Sequence, residues 1–353
     1  MITAFRVSGS VFRVPSDLWS LVLWNSERQA RNPDLETRSS ERLVMADSDF
    51  HVPVLLDEIV SALEPAPGKL ILDGTVGGGG HALALLARGA SIIACDQDPD
   101  ALAAAAKRLD RYKDRMRWIE SNFAAVSDRL REMNITELDG VLLDLGVSSY
   151  QLDTASRGFS FQMNGPLDMR MNPHAGRTAA EIVNTASEAE LADIFHTFGE
   201  ERAARRIAAR LIKERARSPI RTTQSLAAIV ESVVPRRGKK HPATRVFQAL
   251  RIAVNNELAV LQVALRTLTG LVKTGGRVAI ITFHSLEDRI VKSYFREVTR
   301  EWIDRPEWPA PRKNPAWNFR LITSRPIEPS REEIDRNPRA RSAKLRVIER
   351  ISP

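Results

Sequence analysis

Cysteine is almost absent from this 353-residue chain: Cys95 stands alone, which excludes an intramolecular disulfide and any multi-cysteine zinc site. A zinc-dependent cytosine deaminase is excluded with it, because that metal site needs a Pro-Cys-x-x-Cys element. Long apolar runs are missing too. None approaches the roughly 18–20 residues that a membrane-spanning helix needs, and no apolar core ending in a small-residue cleavage site marks a signal peptide. The chain is expected to stay in water, with no membrane partner, in a reducing cytoplasm. Acidic residues are outnumbered, 44 against 52 Lys and Arg, leaving a formal charge of +8. Cationic side chains release condensed counterions when they neutralise phosphates, so nucleic acid is the leading expected partner and anionic membrane trails. An ordinary basic enzyme is the alternative.

With 43% hydrophobic and 27% charged residues the composition is that of a globular protein. The length exceeds the roughly 100–200 residues of a typical domain, which predicts two domains or one carrying a large insertion. Residues 1–44 mix Arg, Ser and Trp without a sustained period and are broken by Pro15 and Pro33. They read as a poorly ordered extension, with Met45 as the expected start. Asp17, Glu27, Asp34, Glu36 and Glu41 argue against a transit peptide.

From Lys69 short apolar runs alternate with helical stretches. Lys69–Asp73, Ser91–Cys95 and Val141–Leu145 read as buried parallel strands, and Ala101–Asp110 as a helix between two of them. Strands alternating with helices predict a doubly wound, mostly parallel α/β sheet whose ligands bind beyond the strands' carboxyl ends. Between about Leu152 and Thr244 the strand signal vanishes. Ser187-x-x-Glu190 is a capping-box pattern followed by Leu191, Ile194, Phe195 and Phe198 on one face. Leu226, Ile229, Val230 and Val233 repeat the spacing before Pro235. Residues 152–244 are therefore expected to form an inserted all-helical domain, with 45–151 and 245–353 forming the sheet domain. Val254, Leu258, Leu261, Leu265 and Leu268 suggest one long helix ended by Gly275-Gly276. Beyond it Arg277–Phe283 reads as a strand, Leu286–Val298 as a helix, and Leu321–Ser324 and Leu345–Ile348 as edge strands, antiparallel on this reading.

The run Asp73-Gly74-Thr75-Val76-Gly77-Gly78-Gly79-Gly80-His81 follows a strand and opens a helix, Ala82–Ala87. Without Cβ atoms such a loop takes positive φ and lets a ligand lie against the backbone, while the helix end points free N–H groups at it. Asp96 closes the next strand at the offset where a carboxylate accepts from ribose hydroxyls. Together they describe a site for an adenosine-containing ligand. Two cofactors compete, since Gly77-x-Gly79-x-x-Ala82 also satisfies a dinucleotide pattern. Asp73 tilts the choice: a carboxylate on the loop holds the cationic end of S-adenosylmethionine and repels a pyrophosphate. No Gly-Lys-Ser/Thr follows, which disfavours a P-loop.

Further stretches complete a set. They are His51-Val52-Pro53-Val54-Leu55, Asp96-Gln97-Asp98-Pro99, Asp144-Leu145-Gly146-Val147-Ser148-Ser149 with Gln151, Arg157-Gly158-Phe159-Ser160, Ala253-Val254-Asn255-Asn256-Glu257-Leu258 and Phe283-His284-Ser285-Leu286-Glu287-Asp288. With the Asp73–His81 loop, this series resembles the bacterial 16S ribosomal RNA cytosine-N4-methyltransferases from His51 almost to the C-terminus. That family begins shortly before its His-Val-Pro-Val motif, which sets residues 1–44 apart once more. The resemblance implies a Rossmann-like class I methyltransferase with a helical insertion, taking S-adenosylmethionine as cofactor. It also implies a decoding-centre cytosine of 16S ribosomal RNA, within the small subunit, as substrate. Its donor contacts map to Gly78, Gly79, Gly80, His81, Asp96, Phe123, Asp144 and Gln151. Phe123 follows a strand expected at Arg117–Ile119, so its ring is placed to flank the adenine; a plain core Phe is the alternative.

Methyl transfer from a sulfonium mainly requires orientation and the handling of one proton. Asp144 is the candidate catalytic residue on the active-site floor, with donor binding as its alternative role. The segment departs from the Asp/Asn-Pro-Pro-Tyr/Phe motif of amino-methylating DNA enzymes, so their mechanism does not transfer. His284 and Glu287 follow another strand end and, with Asn255 and Asn256, are candidates for the base pocket. A satisfied histidine, a helix-cap carboxylate and ordinary helix polar residues are the alternatives. Nothing in the pattern calls for a metal. Three basic clusters offer phosphate contacts: Arg202, Arg205, Arg206, Arg210 and Lys213; Arg236 to His241; and Arg336, Arg339, Arg341 and Lys344. A nicotinamide-dependent oxidoreductase and a noncatalytic RNA-binding assembly protein are the competing functions.

Overall fold

The short apolar runs become a single seven-stranded sheet in the computed structural model, which describes residues 53–236 and 241–351. The expected N-terminal extension with Met45, the His51-Val52 end of its motif, and 237–240 of the second basic cluster lie outside the described residues. The strands are β1 (Leu70–Asp73), β2 (Ser91–Asp96), β3 (Met116–Glu120), β4 (Leu138–Asp144), β5 (Val272–Thr282), β6 (Phe319–Leu321) and β7 (Lys344–Arg350). Their spatial order is β3-β2-β1-β4-β5-β7-β6, parallel through β5, with β7 antiparallel to both neighbours.

Side chains alternate across this sheet with period two. Ile71, Ile92, Ala94, Leu142, Ala279 and Ile281 enter the core on one face, and Leu72, Ile93, Cys95, Val141, Leu143, Val278 and Ile280 enter the other. Both faces are covered, which is why these strands read as continuous apolar runs. The strand order reverses between β1 and β4, so the crevice for a ligand opens there, beyond Asp73 and Asp144.

The long helix expected through Val254 and Leu268 is two helices, Ala243–Asn255 and Glu257–Thr269, broken where Asn256 takes a left-handed φ of 52°. Val254 packs on the insert, whereas Leu261, Leu265 and Leu268 pack on the sheet. One stripe served two cores. Gly275-Gly276 does not terminate a helix either. These residues lie inside β5, where the pairing jumps from Leu138↔Val272 to Gly140↔Arg277 and Lys273–Gly276 loop out as a bulge.

The helical insert has its own core, built on Leu191, Phe195, Ile207, Leu211, Leu226 and Val230. Thr178 and Ser187 cap their helices in reciprocal boxes with Glu181 and Glu190, and Glu188–Thr197 is the helix the sequence announced. The insert's core continues past residue 244, because Val246, Phe247 and Leu250 on the helix Ala243–Asn255 belong to it. Among the described residues no helix is long and apolar enough to cross a membrane.

Candidate active site

All five parallel strands end in a polar residue on the same edge: Asp73, Asp96, Glu120, Asp144 and Thr282. After β1 the chain must turn sharply into the helix Gly80–Ala87. Gly77 and Gly79 make that turn with φ of 49° and 77°, values that a Cβ disfavours. The loop is stitched to both neighbouring strands. Gly77 N–H donates to Asp96 Oδ2 at 2.9 Å, Val76 N–H to Cys95 O at 3.0 Å, and Asp144 N–H to Thr75 Oγ1 at 2.7 Å. A Cβ at Gly79 would meet Leu109 at 3.0 Å and one at Gly80 would meet Pro53, whereas one at Gly77 meets only Thr75 O at 3.9 Å. Gly79 is buried against the core and Gly80 lies on Pro53, while Gly77, Gly78 and Gly80 are part-exposed.

Three carboxyl groups crowd this crevice. Burial pushes Asp73 up to about 7, against the pull of the Thr75 N–H and with the Asp96 charge adding to the rise. Burial likewise lifts Asp96 to about 6, opposed by the Asp98 and Gly77 N–H groups. Asp144 is held well above the carboxylate range by burial, then by Asp73 and Glu287. Its Oδ1 is buried and has no hydrogen-bond partner among the described residues. Its Oδ2 lies 3.7 Å from His81 Nδ1, while His81 Nε2 is 2.9 Å from Val54 O, an acceptor, so Nε2 carries the proton. A buried oxygen left unpaired beside two further carboxyls fits a cationic ligand. S-adenosylmethionine brings two cationic centres, its sulfonium and its ammonium; a pyrophosphate would meet only repulsion.

These shifts have a measurable consequence. Asp73 is raised in the folded protein, so between about pH 4 and 7 the native state holds a proton that the unfolded chain has lost. That contribution to stability is complete at low pH and disappears as pH rises through about 7. Asp73→Asn mimics the protonated form. It is expected to raise the Tm of the donor-free protein at pH 8 and to change it little at pH 4, which thermal melts at the two pH values would check. An equal shift at both would contradict the assignment.

The remaining expected site residues divide. Phe123 is half-buried; its Cβ stands beside Gly74, 3.4 Å from where a Cβ there would lie, and it packs against the core of the sheet face that holds Leu72 and Leu143. Gln151 is buried and fully engaged: its Oε1 accepts the Ser148 N–H and its Nε2 donates to Asp98 Oδ2 at 2.8 Å. Asn255 is also spent. Its Oδ1 accepts the Met171 N–H and its Nδ2 donates to Met169 O and Arg251 O, so it fastens the 169–171 segment and has no amide group left to read a base edge. Asn256 is exposed at the helix break. His284 caps the helix Ser285–Thr299 in a reciprocal box with Glu287; its buried Nε2 lies 3.1 Å from Glu287 Oε1 without hydrogen-bond geometry and has no other hydrogen-bond partner among the described residues. Glu257, His284 and Glu287 gather within 4.8 Å, but Arg251 already forks onto Glu257 at 2.8 and 2.9 Å, so the cation of this cluster is a guanidinium.

Sequence reasoning missed Asp98 and Arg157 as a pair, although both stand in the motifs quoted above. Asp98 is fully buried; it caps the helix Pro99–Leu109 through Oδ1 and accepts from Gln151 and Arg157 through Oδ2. Arg157 continues to Arg170 O and Met171 O. The loop after β2 thus carries Asp96 and also grips the insert. The signal was a buried-type Asp and a distant Arg, which only the fold brings together.

The sheet order and the acidic crevice at its switch point define a Rossmann-like methyltransferase that uses S-adenosylmethionine. Comparison with known proteins narrows the class. The model of the MraW methylase family matches residues 48–351, and the chain belongs to that family. It is 46% identical over 308 residues to the ribosomal RNA small subunit methyltransferase H of Heliobacterium modesticaldum, covering 85% of this chain and 98% of that one. Its counterpart of the same name from Geotalea uraniireducens is 48% identical over 311 residues, covering 86% and 100%. Another, from Rhizobium leguminosarum, is 50% identical over 299 residues, covering 84% and 86%. Membership in a methylase family removes the oxidoreductase and the noncatalytic assembly protein from consideration.

Proposed function

We propose that this methyltransferase modifies the exocyclic N4 amine of a decoding-centre cytosine in 16S ribosomal RNA, acting in the cytoplasm on the small ribosomal subunit. The observation that carries the reading is the unpartnered, buried Asp144 Oδ1 at the switch point. The names of the relatives support a ribosomal RNA of the small subunit as substrate.

When bound, S-adenosylmethionine supplies an electrophilic methyl group on a leaving sulfide. Gly78, Gly79, Gly80 and His81 would hold it along the loop, Asp96 would accept from its ribose, Phe123 would lie beside its adenine, and Asp144 would face its cationic end. Gln151 acts through Asp98 by fixing the loop after β2. The cytosine amine is a poor nucleophile because its lone pair is delocalised into the ring. Asp144 Oδ1 accepts one N4–H, favours the pyramidal nitrogen and takes the proton released as the N–C bond forms. Burial, then the Asp73 and Glu287 charges, favour the protonated carboxyl in the donor-free site; a cationic donor beside it would favour the carboxylate that takes this proton. The base must leave its stack to arrive there, which costs roughly a few kcal/mol.

The helical insert is assigned to RNA recognition. Arg202, Arg205, Arg206, Arg210 and Lys213 are all exposed along or beside its helix Ala204–Arg215. Both this cluster and the C-terminal one are partly neutralised, since Arg210 pairs with Glu214, Arg339 with Asp153 and Lys344 with Glu328.

The test is to incubate the protein with labelled S-adenosylmethionine and small subunits lacking the modification, then digest the RNA and identify the methylated nucleoside. Label in N4-methylcytidine is expected. Asp96→Ala is expected to weaken donor binding roughly 10- to 100-fold through loss of charge-assisted hydrogen bonds, read by calorimetry. No transfer to subunits or naked RNA, with donor binding intact, would overturn the substrate.

A further inference from the structure

Three of the chain's six tryptophans, Trp302, Trp308 and Trp317, fall within sixteen residues, in a segment no part of the methyl-transfer chemistry uses. Trp302–Ile303 pairs antiparallel with Arg312–Lys313 to form a small hairpin separate from the main sheet. Its aromatic and cationic side chains are interleaved. The Arg305 and Arg312 guanidiniums lie 5.0 and 4.8 Å from the Trp308 ring centre, and Lys313 Nζ lies 5.4 Å from that of Trp317. Trp302 stands 54% exposed. Among the described residues Arg305, Arg312 and Lys313 pair with no carboxylate, so their charges stay available to an outside anion.

The hairpin is anchored at its base. Asn314 is buried; its Nδ2 donates to Glu297 O and Arg300 O at 2.6 and 2.8 Å, and its Oδ1 accepts the Ala316 N–H. Asn314 N–H and Asn318 N–H tie the returning leg to Glu301 O and Val298 O. These bonds also satisfy carbonyls at the carboxyl end of the helix Ser285–Thr299, so the rings are presented on a preformed support.

We propose that this hairpin is a second RNA-binding surface, which stacks unpaired bases of the substrate on its indole and guanidinium planes while its cations take the phosphates. This rests on the RNA-methylating reading above and adds a contact remote from the target base. Bases of any sequence stack on an exposed indole, and a guanidinium plane extends the same ladder. A protein partner would instead be expected to bring carboxylates to these arginines; within 301–313 Glu301, Asp304 and Glu307 equal the cations in number, so the stacking planes and the chain's overall charge of +8, not a local excess, favour the polyanion. Fifteen helical residues at about 1.5 Å each put the hairpin ~20 Å from His284, at the far end of their shared helix. It therefore acts on substrate affinity and not on the chemical step.

Full-length wild type, Trp302→Ala and the double variant Arg305→Glu/Arg312→Glu should be compared in gel shifts with naked 16S RNA and in steady-state methylation of subunits. Tm and donor Kd serve as controls for folding. The expected result is a rise of about 10-fold or more in RNA Kd and in KM for subunits, with kcat and donor Kd unchanged and a shallower salt dependence for the double variant. Unchanged RNA Kd and KM in both variants would overturn the proposal. Loss of subunit affinity with naked-RNA binding intact would also overturn it, in favour of a protein contact. If wild type binds donor and RNA but methylates neither substrate, the functional reading fails while the gel shifts still decide the hairpin.

Discussion

Asp144→Asn is expected to lower kcat by roughly 10²- to 10⁴-fold, the range for loss of a positioned general base, while the protein stays folded and melts close to wild type. The two effects separate because of where the residue's contacts lie. Its backbone N–H, not its side chain, binds Thr75 and holds the glycine loop, so the loop survives the substitution. Burial, then the Asp73 and Glu287 charges, disfavour its ionised form, and Oδ1 has no hydrogen-bond partner among the described residues, so a neutral amide costs the folded state little. An amide keeps the shape but accepts no proton at neutral pH. Single-turnover methylation at saturating donor, run beside a thermal melt, tests both halves. A variant turning over near the wild-type rate would leave Asp144 without its catalytic role.

Arg157→Met is expected to cost about 3–5 kcal/mol of stability, the range for removing one partner of a buried ion pair. Arg157 and Asp98 meet at 2.8 Å with both side chains more than nine-tenths buried, and Asp98 has no other cation at that distance among the described residues. The same guanidinium satisfies two carbonyls of the 170–171 segment. Arg157→Lys is not expected to rescue it, since an ammonium lacks the planar fork that reaches both sides. Urea titration gives the magnitude. Because a buried charge left alone is the cause, Asp98→Asn combined with Arg157→Met should recover part of the loss. A double variant no more stable than the single one would point to packing instead.

The donor half of the molecule was legible because its rules are local. Apolar runs of four to seven residues ending in Asp give buried parallel strands, and a glycine loop leading into a helix gives the ligand turn; Asp73, Asp96 and Asp144 arrive at one edge as expected. The capping box at Ser187 worked for the same reason. The errors arose where one pattern served two masters. The stripe from Val254 to Leu268 keeps helical spacing across Asn256, yet its two ends face different cores. Gly275-Gly276 marks a bulge as readily as a helix end. Asn255 offers the same amide to a base or to a backbone, and only the placement of the 169–171 segment decided for the backbone. Asp98 and Arg157, 59 positions apart, have no local pattern at all.

The short turn after β2 leaves little room for drift. Asp96 accepts the Asp98 N–H at 3.0 Å, and Asp98 in turn holds Gln151 and Arg157. A change suited to a new donor would disturb the grip on the insert, and a change suited to a new insert would disturb the donor. Sequence change is thereby steered outward, to exposed surfaces such as the Ala204–Arg215 helix, where substitutions are independent of that turn.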